Sequence, residues 1–388
     1  MNNKLLSKKR TLAYTFFAIT LCMIGTFLIM EIYVRITRPY YDLWEKTGRV
    51  ISESPMKQYY LIDAFSAYRG KPGIYPTEGN NLDKSVNKYG FISSPEIDLV
   101  KPKNTIRILF LGGSSTAGVG GKNLSDDDTW PTLTSKILQT KFDKHNIEYI
   151  NGALGGYSTF ESYGRLWSRA RFFSPDIIVL NHAWNEMYYF NIVDDILAHR
   201  TYSDGTWSFD RLPKRMGRYD KYWFDHLIRY SQLFTRLRLK LTGRSDWVIE
   251  QNLNVKKNEP LLNHYDKRAL EIFRTNLKLI KESAKIINAK LYVIKQPTLI
   301  TSDTSDEDKK RCRYGLHGFG HEAHVDAFNQ IYQIIEEEID RKYIIDLTGL
   351  SGISENFHDH IHPTKFGSEI IAEITSKSLE NEIKYTMD

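Results

Sequence analysis

Two stretches near opposite ends of the chain carry residue types that do chemistry together. The first is Ile106 to Gly118, IRILFLGGSSTAG. Its apolar run, broken only by Arg107, reads as a strand buried on both faces. Gly112 and Gly113 end the run, and Ser114 and Ser115 follow at once. Glycine permits a sharp turn and a close backbone approach. A helical turn beginning near Thr116 would aim free amide N–H groups back at the serines. A hydroxyl so placed lies at the carboxyl end of a central strand, where open α/β sheets gather their chemistry. The second stretch is Asp359 to Gly367, DHIHPTKFG, with a carboxylate and an imidazole three residues apart and a Pro363-Thr364 step that reads as a helix start. A serine hydroxyl is a poor nucleophile until a base takes its proton. His362 is the candidate base, and Asp359 can hold its tautomer and stabilise its charged form. The requirement is spatial: Ser114 Oγ and the His362 ring must come within about 3 Å.

Regular elements must carry these ends together. From Ile106 the pattern alternates: strand 106–111, helix 130–141, strand 147–151, helix 160–172, strand 176–181. Such alternation means βαβ units and a parallel sheet. It stops after Glu186. Residues 187–265 are rich in aromatic and basic side chains, among them Trp207, Tyr222, Trp223, Arg229, Arg236 and Lys240. We read them as a helical insertion. Regularity resumes with helix 266–288, strand 291–297, a polar loop 301–311, helix 321–341, strand 343–346 and a last helix from Thr364.

The remainder of the chain sets the context. Leu12 to Met30 carries no charge and is long enough to cross a bilayer as a helix. A cleaved signal peptide is the alternative, but no A-x-A-like site follows, and Tyr33, Tyr40, Tyr41 and Trp44 suit an interfacial belt. The expectation is a single-pass anchor over 1–35, an irregular lead-in over 36–105, and one domain over 106–388. The basic tail Lys4, Lys8, Lys9 and Arg10 favours an inside N-terminus and an extracytoplasmic domain. The net charge of +6 sits partly in that tail, which argues against a nucleic-acid partner. Cys22 and Cys312 lie in unlike surroundings and are not expected to pair.

Four blocks together resemble the SGNH (GDSL-like) hydrolase superfamily. LGGSSTAG is similar to its first block, with Gly112 and Ser114 at the glycine and nucleophile positions and Gly113 where Asp is usual. NGALGGYST, Asn151 to Thr159, is similar to the second, with Gly156 at the oxyanion glycine. VLNHAWNE, Val179 to Glu186, is similar to the third, with Asn185 at its asparagine, Ala183 for the usual glycine and Glu186 for the usual Asp. Asp359-x-x-His362 is the last. The resemblance implies a flavodoxin-like three-layer α/β/α sandwich around a central parallel sheet. It also implies a triad of Ser114, Asp359 and His362, and an oxyanion hole of Ser114, Gly156 and Asn185, with no cofactor or metal. The implied reaction is hydrolysis of an O-acyl ester, acetyl on a carbohydrate by analogy with membrane-attached members. The partner would then be an acylated small molecule or polysaccharide.

Other readings of the same residues stay open. Ser115 could be the nucleophile, Gly156 a turn glycine, Asn185 a helix cap, and His362 and Asp359 plain helix-start residues. The same triad would serve an acyltransferase, and the departures at Gly113, Ala183 and Glu186 would suit a non-catalytic carbohydrate- or partner-binding scaffold. His358, His360 and His362 would share one face of a strand, and His317, His321 and His324 have helical spacing. Imidazole binds zinc, but no Cys cluster or H-E-x-x-H accompanies them, so solvated or pocket-lining histidines are the expectation.

Overall fold

The computed structural model describes residues 2–37, 60–75, 84–120, 124–190, 231, 233–234 and 260–387. Most of the expected insertion, including Trp207, Tyr222, Trp223, Arg229, Arg236 and Lys240, lies outside the described residues. The chain divides into two units, one of 1–58 and 210–253, the other of 59–209 and 254–388.

In the first unit, helix α1 spans Asn2–Thr37. Its stretch Arg10–Thr37 holds an 18-residue window of mean hydropathy 2.1 and is long and apolar enough to cross a membrane. Toward its end, Glu31 accepts hydrogen bonds from Ser231 Oγ at 2.8 Å and the Leu233 amide at 2.9 Å. It also pairs with Arg35 one turn on. A buried carboxylate beyond the uncharged stretch Leu12–Met30 is thus paired and bonded, as its burial requires.

The second unit is built on five parallel strands. These are β5 (Thr105–Gly112), β6 (Asn146–Asn151), β7 (Ile177–Asn181), β8 (Lys290–Lys295) and β9 (Ile344–Asp346). Their order is β6-β5-β7-β8-β9, every neighbouring pair parallel. Counting from β5 as first, this is the 2-1-3-4-5 order of flavodoxin-like sheets. Side chains alternate between faces, as strand geometry dictates. Leu109, Leu111, Ile178, Leu180 and Val293 face one apolar layer with helices α4 (Thr159–Ser168), α5 (Arg268–Ile286) and α6 (His321–Glu338). Ile108, Phe110, Val179 and Ile294 face another with α3 (Trp130–Lys141) and α7 (Lys365–Met387). The result is the expected three-layer sandwich.

Arg107, the one charge in the apolar run, is fully buried and fully engaged. It pairs with Glu148 at 2.6 Å and donates to the carbonyls of Phe173 and Asp98. The lead-in differs from its irregular reading. It holds two short antiparallel pairs, β1 (Tyr60–Asp63) with β2 (Ala67–Gly70), and β3 (Gly73–Tyr75) with β4 (Lys84–Val86). Strands of three or four residues are too short to display a period of two.

Candidate active site

At the carboxyl end of β5 the chain turns through Gly112 and Gly113 into a single helical turn, α2 (Ser114–Ala117), closed by Gly118 at φ +69°. Both glycines are needed for space. A Cβ at Gly112 would overlap the Thr116 side chain, and one at Gly113 would overlap Asn185 Nδ2. The turn separates the two serines. Ser114 is half-buried and accepts or donates a hydrogen bond at 2.8 Å to His362 Nε2. Ser115 points inward and accepts from Gln296 Nε2 at 3.0 Å.

His362 arrives from 248 residues away. Its Nδ1 lies 2.9 and 2.8 Å from the two Asp359 oxygens. Asp359 Oδ1 also accepts from the Ile361 and His362 amides at 3.1 and 3.0 Å, which folds the D-x-x-H stretch into a tight turn. Thr364 Oγ1 then accepts from the Gly367 amide at 3.0 Å and caps α7, so the helix start fixes the histidine's position. Burial raises the Asp359 pKa. The hydrogen bonds and charge of His362 outweigh it and hold the carboxyl well below the ordinary range. Gly120, at φ +98°, lies directly against the ring: a Cβ there would overlap His362 Nε2.

Of the expected oxyanion donors, Asn185 reaches the same turn, its Nδ2 lying where a Cβ on Gly113 would stand. Asn185 sits in a 3₁₀ turn, Trp184–Tyr189, just beyond β7. Its Nδ2 donates one proton to the Tyr157 carbonyl at 2.7 Å, which orients the amide. Gly156 has φ +78°, a conformation few other residues adopt. Among the described residues, neither the Ser114 amide nor the Gly156 amide donates to a backbone carbonyl. Glu186, where the resemblance leads one to look for Asp, has a structural task. It accepts from the Thr159 amide at 2.7 Å and from Thr159 Oγ1 at 2.8 Å, tying the turn to the start of α4.

The histidine groupings come out differently from their spacing. His358, His360 and His362 lie in the Asp359 turn and not on a strand, and the His360 and His362 rings stand edge to face with centroids 5.9 Å apart. His360 packs on Trp184 with ring centroids 3.9 Å apart. His317 precedes α6 rather than lying on it, yet its ring meets His324 across 2.9 Å. His321 turns away to Tyr314 and the Thr301 carbonyl. Burial lowers His360 to about 3 and His324 to about 4, and takes His317 well below its ordinary value. These rings are neutral packing groups around Trp184. Among the described residues no group of three His, Cys, Asp or Glu side chains could hold a metal ion.

Sequence reasoning missed Gln296, Gly120 and the Tyr157 carbonyl. Only the position of Gln296, one residue past a strand end, could have drawn notice.

No family model matches the chain, and no curated protein matches it. Among solved structures it is similar to an acetyl xylan esterase at 14% identity, covering 71% of this chain and 100% of that one, with TM-score 0.38. It is also similar to an acetylxylan esterase from Geobacillus stearothermophilus, at 12% identity over 72% and 94% of the two chains, TM-score 0.36. A psychrotrophic esterase of a Pseudoalteromonas species matches at 14% identity over 73% and 100%, TM-score 0.37. Similarity at this level says nothing about reaction or substrate.

Proposed function

We propose that this chain is an SGNH-type serine esterase that removes O-acyl groups, acetyl on a carbohydrate, through an acyl-enzyme on Ser114. The observation that carries the reading is the continuous chain from Ser114 Oγ to His362 Nε2 to the Asp359 carboxylate. His362 takes the hydroxyl proton as Ser114 attacks the acyl carbonyl carbon. The amides of Ser114 and Gly156 and the second Asn185 Nδ2 proton receive the developing oxyanion, each worth about 3 kcal/mol of barrier when preorganised. Collapse breaks the ester C–O bond, and His362 returns its proton to the departing sugar oxygen. Water then attacks the acyl-enzyme with His362 again as base, releasing the carboxylate and restoring Ser114. Helix α1 anchors the enzyme in the membrane with the catalytic domain on the extracytoplasmic side.

The test is acetate release from an O-acetylated polysaccharide and from 4-nitrophenyl acetate, by the full chain and by Ser114→Ala. The reading expects release by the first and none above background by the second. Acetyl appearing on an added glycan in place of free acetate would identify transfer instead. No turnover of any ester by the folded protein would leave only a binding scaffold.

A further inference from the structure

Gln296 is a buried polar side chain that the reaction scheme does not use, and it sits where the two halves of the site meet. It follows β8 directly, at the carboxyl edge of the sheet. Its Oε1 accepts from the Trp184 amide at 2.8 Å, and its Nε2 donates to Ser115 Oγ at 3.0 Å. Its own carbonyl accepts from Tyr332 Oη at 2.5 Å, which fixes the backbone beneath it. The amide orientation is determined, because the Trp184 N–H needs an acceptor and only Oε1 can be one.

Each partner adjoins a residue of the site. Trp184 precedes Asn185 and opens the 3₁₀ turn that carries it. The residue before that turn is Ala183, which has no side chain with which to cap it. Gln296, just past the end of the neighbouring strand β8, supplies an acceptor for the first amide of that turn. Ser115 follows Ser114 in α2. One side chain therefore spans the nucleophile turn after β5 and the oxyanion turn after β7.

We propose that Gln296 is a positioning residue that sets the distance between the Ser114 nucleophile and the Asn185 oxyanion donor. The inference rests on the roles given to Ser114 and Asn185 above. Gln296 contacts neither reacting atoms nor substrate in this scheme. It acts through Ser115 and Trp184, so its loss should weaken transition-state stabilisation and leave ground-state binding alone.

The test uses the full chain with 4-nitrophenyl acetate. Gln296→Met keeps the length and removes both bonds. We expect kcat to fall about 10- to 100-fold with KM within about twofold, the size that a small misplacement of reacting groups produces. Gln296→Glu retains an acceptor for Trp184 and an oxygen for the Ser115 hydroxyl, and should recover kcat toward wild type. Ser115→Ala cuts one of the two ties and should lower kcat about fivefold, and the double variant should fall only to the level of Gln296→Met alone. Unchanged kcat in Ser115→Ala and Gln296→Met, or a KM increase alone, would overturn the proposal. Should Gln296→Met fail to fold, an undiminished kcat in Ser115→Ala overturns it alone. Wild-type turnover that survives Ser114→Ala would instead overturn the nucleophile assignment, a separate failure.

Discussion

His360 and His362 stand two residues apart and are both buried, yet their surroundings give them opposite characters. The His362 ring has a carboxylate on one nitrogen and a serine hydroxyl on the other. The His360 ring has no hydrogen-bond partner at either nitrogen among the described residues; its Nδ1 stands 3.6 Å from Asp359 Oδ1, beyond hydrogen-bond distance, and the ring lies against Trp184. The first arrangement can take and return a proton. The second region, Trp184 with His317, His324 and His360, stabilises the turn behind Asn185 by packing and resists protonation. Imidazole content alone distinguishes nothing; partners at both nitrogens do.

The largest contrast should come from replacing one ring at a time. His362→Ala should lower kcat by about 10⁴-fold or more, since among the described residues no other side-chain base is hydrogen-bonded to Ser114 Oγ. Steady-state kinetics on 4-nitrophenyl acetate read this directly. A loss under tenfold would break the comparison.

An intermediate effect is expected at Gly113, where the resemblance leads one to look for Asp. Any Cβ there overlaps Asn185 Nδ2. Gly113→Asp should therefore move the amide and lower kcat about 10- to 100-fold, rather than restore a better site. The same assay with a melting curve separates this from unfolding.

The smallest effect on rate belongs to the Trp184 region. His360→Phe should keep kcat within about threefold, because the ring holds no proton that the reaction uses. Its signature is pH-dependent stability. Burial depresses the folded-state pKa of His360 to about 3 and of His324 to about 4, and also brings His182 down to about 3. The unfolded chain takes up these protons near the ordinary histidine value of about 6.5. Below that pH the unfolded state binds more protons, so stability declines as pH falls from about 6.5 toward 4. Above about pH 7 these rings contribute no pH dependence. Melting temperatures from pH 7.5 to 4.5 should drop at the acid end, and less steeply in His360→Phe. Equal slopes in the two proteins would contradict the packing role.

Much of this fold was legible in the sequence because its elements are long and strongly patterned. The five sheet strands and the helices around them fall close to their expected places, since an apolar run such as Ile106–Leu111 has few alternative uses. The D-x-x-H turn was readable because Asp359 and His362 are neighbours in sequence. What escaped depends on distant pairs. Gln296 meets Trp184 across 112 residues and Ser115 across 181, and no local pattern encodes either contact. Glu186 looked like a faulty motif residue, and its actual bond to Thr159 is equally non-local. The spacing of His317, His321 and His324 suggested one helical face, but Gly318 at φ +77° and Gly320 break the chain before α6 begins.

The most direct measurement of the central claim is covalent labelling of the full chain by a fluorophosphonate, with the modified peptide identified by mass. The account predicts a single adduct on Ser114 that is lost in Ser114→Ala and in His362→Ala and retained in Ser115→Ala. An adduct on Ser115, or none on Ser114 in the folded protein, would contradict it.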